Sequence, residues 1–208
     1  MFKKSDLALY LCTDRALSLG RPLIQAVEAA VQGGVTMVQL REKEASAGEF
    51  FALAKELLGL TRPLGIPLII NDRLDIALAA GAEGLHIGQS DLPLREARRI
   101  AGPGLIIGVS ASTAEEALAA ERDGADYIGA GAVFPTGSKA DVSAVIGIDG
   151  LAAICKAVKI PVAAIGGIGP GNIRAVLEAG ASGAAVISAI LSQPDIREAA
   201  AALRRCGL

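Results

Sequence analysis

The chain has 208 residues, of which 52% are hydrophobic and 20% charged, with a formal net charge of −2. That length suits one domain, the composition excludes intrinsic disorder, and no apolar run reaches the ~18 residues of a spanning helix. The near-neutral charge, with no Trp, two Tyr and four Phe, excludes the basic and stacking surfaces that nucleic acids require. Cys12, Cys155 and Cys206 are odd in number and lack metal-ligand spacing, and Lys3-Lys4 has no signal-type apolar stretch behind it. A soluble, reduced, cytoplasmic protein with no nucleic-acid or membrane partner is expected.

Apolar runs of strand character recur at 7–12, 35–40, 67–70, 84–87, 105–109, 126–129, 161–165 and 184–187. Helical patterns follow at 22–32, 47–58, 73–80, 94–101, 114–122, 150–158, 172–179 and 196–205. Eight β-then-α units across 1–208 predict a single (β/α)8 TIM barrel. Glycine turns at Gly33-Gly34, Gly81, Gly124 and Gly180 lead into strands two, four, six and eight. Strands three, five and seven are reached through Ile66-Pro67, Gly102-Pro103-Gly104 and Ile160-Pro161, so two kinds of unit alternate. Side-chain layers drawn from alternate strands give a barrel that parity. A dinucleotide-binding open sheet would need Gly-x-Gly-x-x-Gly after strand one, where Cys12-Thr13-Asp14-Arg15 stands. The one long connection, 130–147, is expected to cover the site.

Function in a barrel is sought at the carboxyl ends of the strands. After strand two comes Gln39-Leu40-Arg41-Glu42-Lys43, whose period of two is expected to aim Gln39, Arg41 and Lys43 at one anion site. Strand three ends in Asn71-Asp72, and strand four runs into His86-Ile87-Gly88-Gln89-Ser90-Asp91. Asp72 and Asp91 then lie on neighbouring loops as hard oxygen ligands suited to Mg²⁺, although either could instead cap a helix. Strand five ends at Gly108-Val109-Ser110, and the long loop holds Phe134-Pro135-Thr136-Gly137-Ser138-Lys139, the composition of a lid over a phosphate and equally of an ordinary turn. Ile165-Gly166-Gly167-Ile168, together with Ile187-Ser188 opening a helix, forms the phosphate-binding pair of loops common in barrels. The only histidine, His86, is read as a hydrogen-bonded structural residue rather than a base.

These segments, in this order, resemble thiamine phosphate synthase along essentially the whole chain, with Val133-Phe134-Pro135-Thr136-Gly137-Ser138-Lys139 and Ile187-Ser188-Ala189-Ile190 among the matches. The resemblance implies two phosphorylated small-molecule substrates and Mg²⁺. They are 4-amino-2-methyl-5-(diphosphooxymethyl)pyrimidine and 4-methyl-5-(2-phosphoethyl)thiazole, joined to thiamine phosphate with release of pyrophosphate. It implies that Gln39, Arg41, Lys43, Asn71, Ser110 and Lys139 hold the pyrimidine diphosphate, with Arg41, Lys43, Ser110 and Lys139 catalytic, and that Asp72 and Asp91 hold the metal. Thr136, Gly137, Ser138, Gly167, Ile187 and Ser188 fall to the thiazole phosphate. The chain departs from the family in Ser138 for threonine, Ala132 for proline and Ser112 for histidine; Ala132 is expected to loosen the loop.

Two rival readings share the phosphate loops: an isomerase related to thiazole tautomerase, and a non-catalytic sensor of a thiazole phosphate. Neither has a use for Asp72, Asp91 and the Gln39, Arg41 and Lys43 trio. Barrels often pair into homo-oligomers, and no face for pairing is marked in the sequence.

Overall fold

The computed structural model describes residues 2–137 and 145–207. Eight parallel strands close a barrel in sequence order: β1 (Leu9–Cys12), β2 (Met37–Leu40), β3 (Leu68–Asn71), β4 (Gly84–Ile87), β5 (Ile106–Ala111), β6 (Tyr127–Gly131), β7 (Val162–Ile165) and β8 (Gly183–Val186). The ring is sealed by pairing of β8 with β1, Leu9 opposite Ala184. Outside lie α1 (Leu23–Gln32), α2 (Ala47–Thr61), α3 (Leu74–Ala80), α4 (Leu94–Ala101), α5 (Ala114–Arg122), α6 (Gly147–Ala157) and α7 (Ile173–Glu178). A short α8 (Ser188–Leu191) and α9 (Ile196–Arg205) follow β8. Among the described residues no helix is long and apolar enough to cross a membrane.

Strands covered on both faces need apolar residues at nearly every position, and that is why they read as short continuous runs. All four residues of β1, β2, β3, β4 and β8 are buried. Three helix starts are set by side-chain caps: Ser46 and Glu49 form a reciprocal capping box on α2, and Thr113 and Asp195 cap α5 and α9. Several boundaries differ from the sequence reading: α2 runs on to Thr61, β5 to Ala111 and β6 to Gly131, and α6 begins at Gly147. Lys4–Leu7 forms a 3-10 turn, so β1 begins at Leu9, and α8 adds a helical turn before α9.

The alternation of units has a physical basis at the amino-terminal end of the barrel. The polar residue just before each even strand accepts a backbone N–H from the start of the preceding odd strand. Thr36 Oγ1 takes Leu9 N (2.9 Å), Glu83 Oε2 takes Leu68 N (3.0 Å), Asp126 Oδ2 takes Ile107 N (2.7 Å) and Ser182 Oγ takes Val162 N (3.3 Å). Each acceptor follows a glycine turn by two residues, at Gly34, Gly81, Gly124 and Gly180, all with positive φ. Left-handed glycines are not confined to these turns, however, since Gly65 and Gly102 precede β3 and β5.

Gly183 is the tightest point of the closure, because a Cβ there would lie 2.0 Å from the carbonyl oxygen of Leu7. Since the obstacle is backbone, Gly183→Ala is expected to destabilise the barrel by about 1–3 kcal/mol. Urea unfolding of the two proteins measures this, and an unchanged midpoint would refute it.

Candidate active site

A cavity of about 930 Å³ opens at the carboxyl ends of the strands, within the size range of small-molecule sites. Arg41, Lys43, Asn71, Asp72 and Asp91 line one side, and Ser110, Thr136 and Gly137 continue it. Gly167, Ile187 and Ser188 also line it. Ser138 and Lys139 lie outside the described residues.

The expected convergence of Gln39, Arg41 and Lys43 is not found. β2 ends at Leu40, so strand alternation does not extend to Arg41 and Lys43. Gln39 is 2% exposed and donates from Nε2 to Tyr10 Oη inside the barrel at 2.7 Å. Arg41 Nη1 lies 3.2 Å from Asp14 Oδ2, with both side chains largely buried, and Lys43 Nζ lies 2.7 Å from Asp72 Oδ2. Asp14 was not singled out in the sequence, because only tertiary folding brings the β1 loop to Arg41.

Asp72 adopts a left-handed conformation (φ 62°), while its N–H still bonds the carbonyl of His86 on β4 at 2.8 Å. Asp91 Oδ2 accepts Gly88 N–H at 2.7 Å. Neither aspartate caps a helix: the residues at the starts of α3 and α4 are Arg73 and Pro93. The two carboxyls are within hydrogen-bond reach of each other. Burial pushes Asp72 up, but the hydrogen bonds from Lys43 and Asp91 outweigh it and hold its carboxyl below the ordinary range. Burial raises Asp91, and the neighbouring Asp72 adds to that rise against the Gly88 N–H. Two neighbouring carboxylates fit a divalent cation. Among the described residues no cluster of three or more His, Cys, Asp or Glu exists. A pair of carboxylates suits Mg²⁺, which is usually bound by one or two carboxylates together with substrate phosphates and water.

The opposite side is built on the loop after β7. Gly166 and Gly167 have φ of 102° and 63°, and a Cβ on them would lie 2.5 Å from Cβ of Ala132 and 2.6 Å from the carbonyl oxygen of Pro135. The glycines are thus required first by the crossing of chain 132–135, whose Val133 and Phe134 N–H groups bond Ile165 O and Gly166 O. Asn172, not recognised in the sequence, brackets this loop by accepting Gly169 N–H and donating to Gly167 O, both at 2.9 Å. The Gly-Pro-Gly-Asn run at 169–172 carried that signal as turn composition.

His86 has both ring nitrogens engaged, Nδ1 with Tyr127 Oη at 3.0 Å and Nε2 with Ser110 Oγ at 2.9 Å. The hydrogen-bonded reading of this residue matches its geometry.

A profile of thiamine monophosphate synthase matches residues 9–190. The thiamine-phosphate synthase of Syntrophomonas wolfei is 53% identical over 97% of this chain and 96% of its own length. This chain belongs to the thiamine monophosphate synthase family. The enzyme of the same name from Clostridium tetani is 52% identical over 95% of the chain and 94% of its length. Among solved structures, thiamine phosphate pyrophosphorylase from Pyrococcus furiosus is 45% identical and superposes with a TM-score of 0.90, covering 98% of this chain and 96% of its own.

Of the three departures from the thiamine monophosphate synthase pattern, Ser138 lies outside the described residues. Ala132 is buried, and its carbonyl accepts Ile146 N–H at 2.8 Å, tying the two ends of the long loop together. Ser112 lines the cavity, its N–H bonded to Glu116 Oε2.

Gly167→Ala is expected to displace residues 134–135 and to weaken phosphomonoester binding ~10-fold or more, about 1.4 kcal/mol. Calorimetric titration reads the loss; unchanged affinity would remove this loop from the binding site.

Proposed function

We propose that this chain joins 4-amino-2-methyl-5-(diphosphooxymethyl)pyrimidine to 4-methyl-5-(2-phosphoethyl)thiazole, releasing pyrophosphate and forming thiamine phosphate. The observation that carries this reading is one cavity lined by two unlike groups, cations and paired carboxylates at Arg41, Lys43, Asp72 and Asp91, and a glycine loop with Ile187 and Ser188, with the loops after β3 and β4 across the ring from those after β7 and β8. A single monophosphate, as an isomerase or sensor would take, leaves the first group without a use.

Asp72 and Asp91 would hold Mg²⁺, which when bound offsets the charge of a diphosphate. Arg41, Lys43, Asn71 and Ser110, which line the cavity, would surround the leaving group; the resemblance gives Lys139 a part in holding it and Gln39 a part in holding the pyrimidine. Thr136, Gly137, Ser138, Gly167, Ile187 and Ser188 take the thiazole phosphate. The carbon–oxygen bond breaks with its electron pair leaving on pyrophosphate, and the 4-amino group stabilises the pyrimidinylmethyl cation. The thiazole nitrogen lone pair then closes the new carbon–nitrogen bond. That nitrogen carries no proton, so no protein base is needed, which suits a cavity whose single histidine is already bonded at both nitrogens.

Pyrophosphate release from the two substrates, measured with and without Mg²⁺, tests the reading; full activity in chelator would refute the metal assignment. Asp72→Ala and Asp91→Ala are expected to raise the Mg²⁺ requirement or abolish turnover. A cation needs the Asp91 carboxylate, whose pKa is raised, so Mg²⁺ activation should weaken as pH falls through that raised range and be complete above it. A pH-independent activation constant would contradict this.

Negative charge builds on the departing pyrophosphate, so Arg41→Ala is expected to lower kcat by about 2–4 kcal/mol of transition-state stabilisation. A rise in KM alone would make Arg41 a positioning group. Electron-withdrawing pyrimidine substituents should slow single turnover steeply, and a flat response would favour direct displacement.

A further inference from the structure

Five polar side chains from five strands are joined through the barrel interior by one run of hydrogen bonds. Gln39 Nε2 donates to Tyr10 Oη (2.7 Å), Tyr10 Oη lies 2.8 Å from Tyr127 Oη, and Tyr127 Oη lies 3.0 Å from His86 Nδ1. His86 Nε2 then meets Ser110 Oγ at 2.9 Å. The run occupies space that glycines leave open. A Cβ on Gly108 would lie 2.0 Å from Tyr127 Cζ, and one on Gly129 would lie 2.9 Å from His86 Cε1. The rings also touch, Tyr10 against Tyr127 edge-on at 6.0 Å and His86 against Tyr127 at 5.5 Å.

Both phenols are buried. Burial first, and then Tyr127 and Cys12, raise Tyr10; burial likewise raises Tyr127 above the ordinary phenol range. Each phenol therefore keeps its one hydrogen, and with a neutral imidazole and every bond made the run has two orders. In one, Gln39 donates to Tyr10, Tyr10 to Tyr127, and Tyr127 to His86 Nδ1. The imidazole proton then sits on Nε2 and points at Ser110, whose own hydrogen is left for the cavity. In the other, every hydrogen is reversed and Gln39 Oε1 ends the run. The Gln39 amide points to the first order: its Nε2 donates to Tyr10, and its buried Oε1 has no hydrogen-bond partner among the described residues.

We propose that Tyr10, Tyr127 and His86 are positioning residues. By holding His86 as its Nε2–H tautomer, they turn the Ser110 hydroxyl hydrogen toward an anionic oxygen in the cavity, which Ser110 lines. The hydrogen-bond order stands apart from the proposed reaction; only its effect on turnover rests on that reading.

His86 is the only histidine in the chain, so ¹⁵N-histidine labelling of the full protein gives one imidazole to read. At mildly alkaline pH without ligand, long-range ¹H–¹⁵N spectra should show a protonated Nε2 and a bare Nδ1. In Gln39→Glu the carboxylate can only accept, Tyr10 must donate to it, and a proton should appear on Nδ1. Adding Tyr10→Phe to Gln39→Glu cuts the relay and should clear Nδ1 again. A histidine that serves packing alone would look the same in all three. A proton on Nδ1 in the native chain, or an Nδ1 indifferent to Gln39→Glu, overturns the proposal.

Should Gln39→Glu fail to fold, Tyr127→Phe keeps the ring in its glycine niche and removes only the hydroxyl. It is expected to lower kcat roughly tenfold at nearly constant KM when Ser110 is present, and to change little on a Ser110→Ala background. Equal losses on both backgrounds overturn the proposal. Absence of turnover in the native chain would instead sink the reaction, leaving the spectra to decide the hydrogen-bond order.

Discussion

Everything at the rim of this barrel depends on strand register, and register is held at the opposite end by side chains that accept the first backbone donors of the odd strands. An N–H at the start of a buried strand has no water to turn to, and leaving it unpaired costs free energy comparable to a lost hydrogen bond. Thr36, Glu83, Asp126 and Ser182 remove that penalty. A slip of one residue would strand the donor and also turn every inward side chain outward. Tyr10, Gln39, His86, Ser110 and Tyr127 meet only because five strands keep step.

The rim is electrically balanced before any ligand arrives. Arg41 lies against Asp14 and Lys43 against Asp72, so the cations are held near the cavity in fixed positions. Losing one partner of a largely buried pair leaves an uncompensated charge, which is more damaging than losing both. An anion that arrives with its own cation exchanges like for like in such a site, whereas a bare anion meets Asp14, Asp72 and Asp91 as well as the two bases.

The architecture was legible because parallel strands and their helices impose two distinct periods, and the glycine turns punctuated them at regular intervals. Most of the expected residues that the structure describes line the cavity, since polar residues at carboxyl ends of strands have few other reasons to be there. What escaped the sequence depends on contacts between distant segments. Gln39 was grouped with Arg41 and Lys43 by extending strand alternation past the end of β2, where it no longer applies. Gly166 and Gly167 read as room for a ligand, whereas the chain at 132–135 already claims that space. Tyr10 and Tyr127 passed as apolar strand residues, because a phenol's partner across a barrel leaves no mark in its local sequence. The two aspartates were placed correctly on one face, but the left-handed turn at Asp72 has no signature beyond the tolerance of Asp for that conformation.

The four acceptor bonds at the barrel floor also divide the chain's conformational search. They join residues 27, 15, 19 and 20 positions apart, while sealing the ring brings Leu9 beside Ala184. Closing a short loop forfeits less chain entropy than closing a long one, although the difference grows only logarithmically. Each strand pair can therefore acquire its polar anchor independently of the ring, as a local unit with its own helix between. The single distant seam, the β1–β8 junction, is where the topology places the largest closure cost of the barrel.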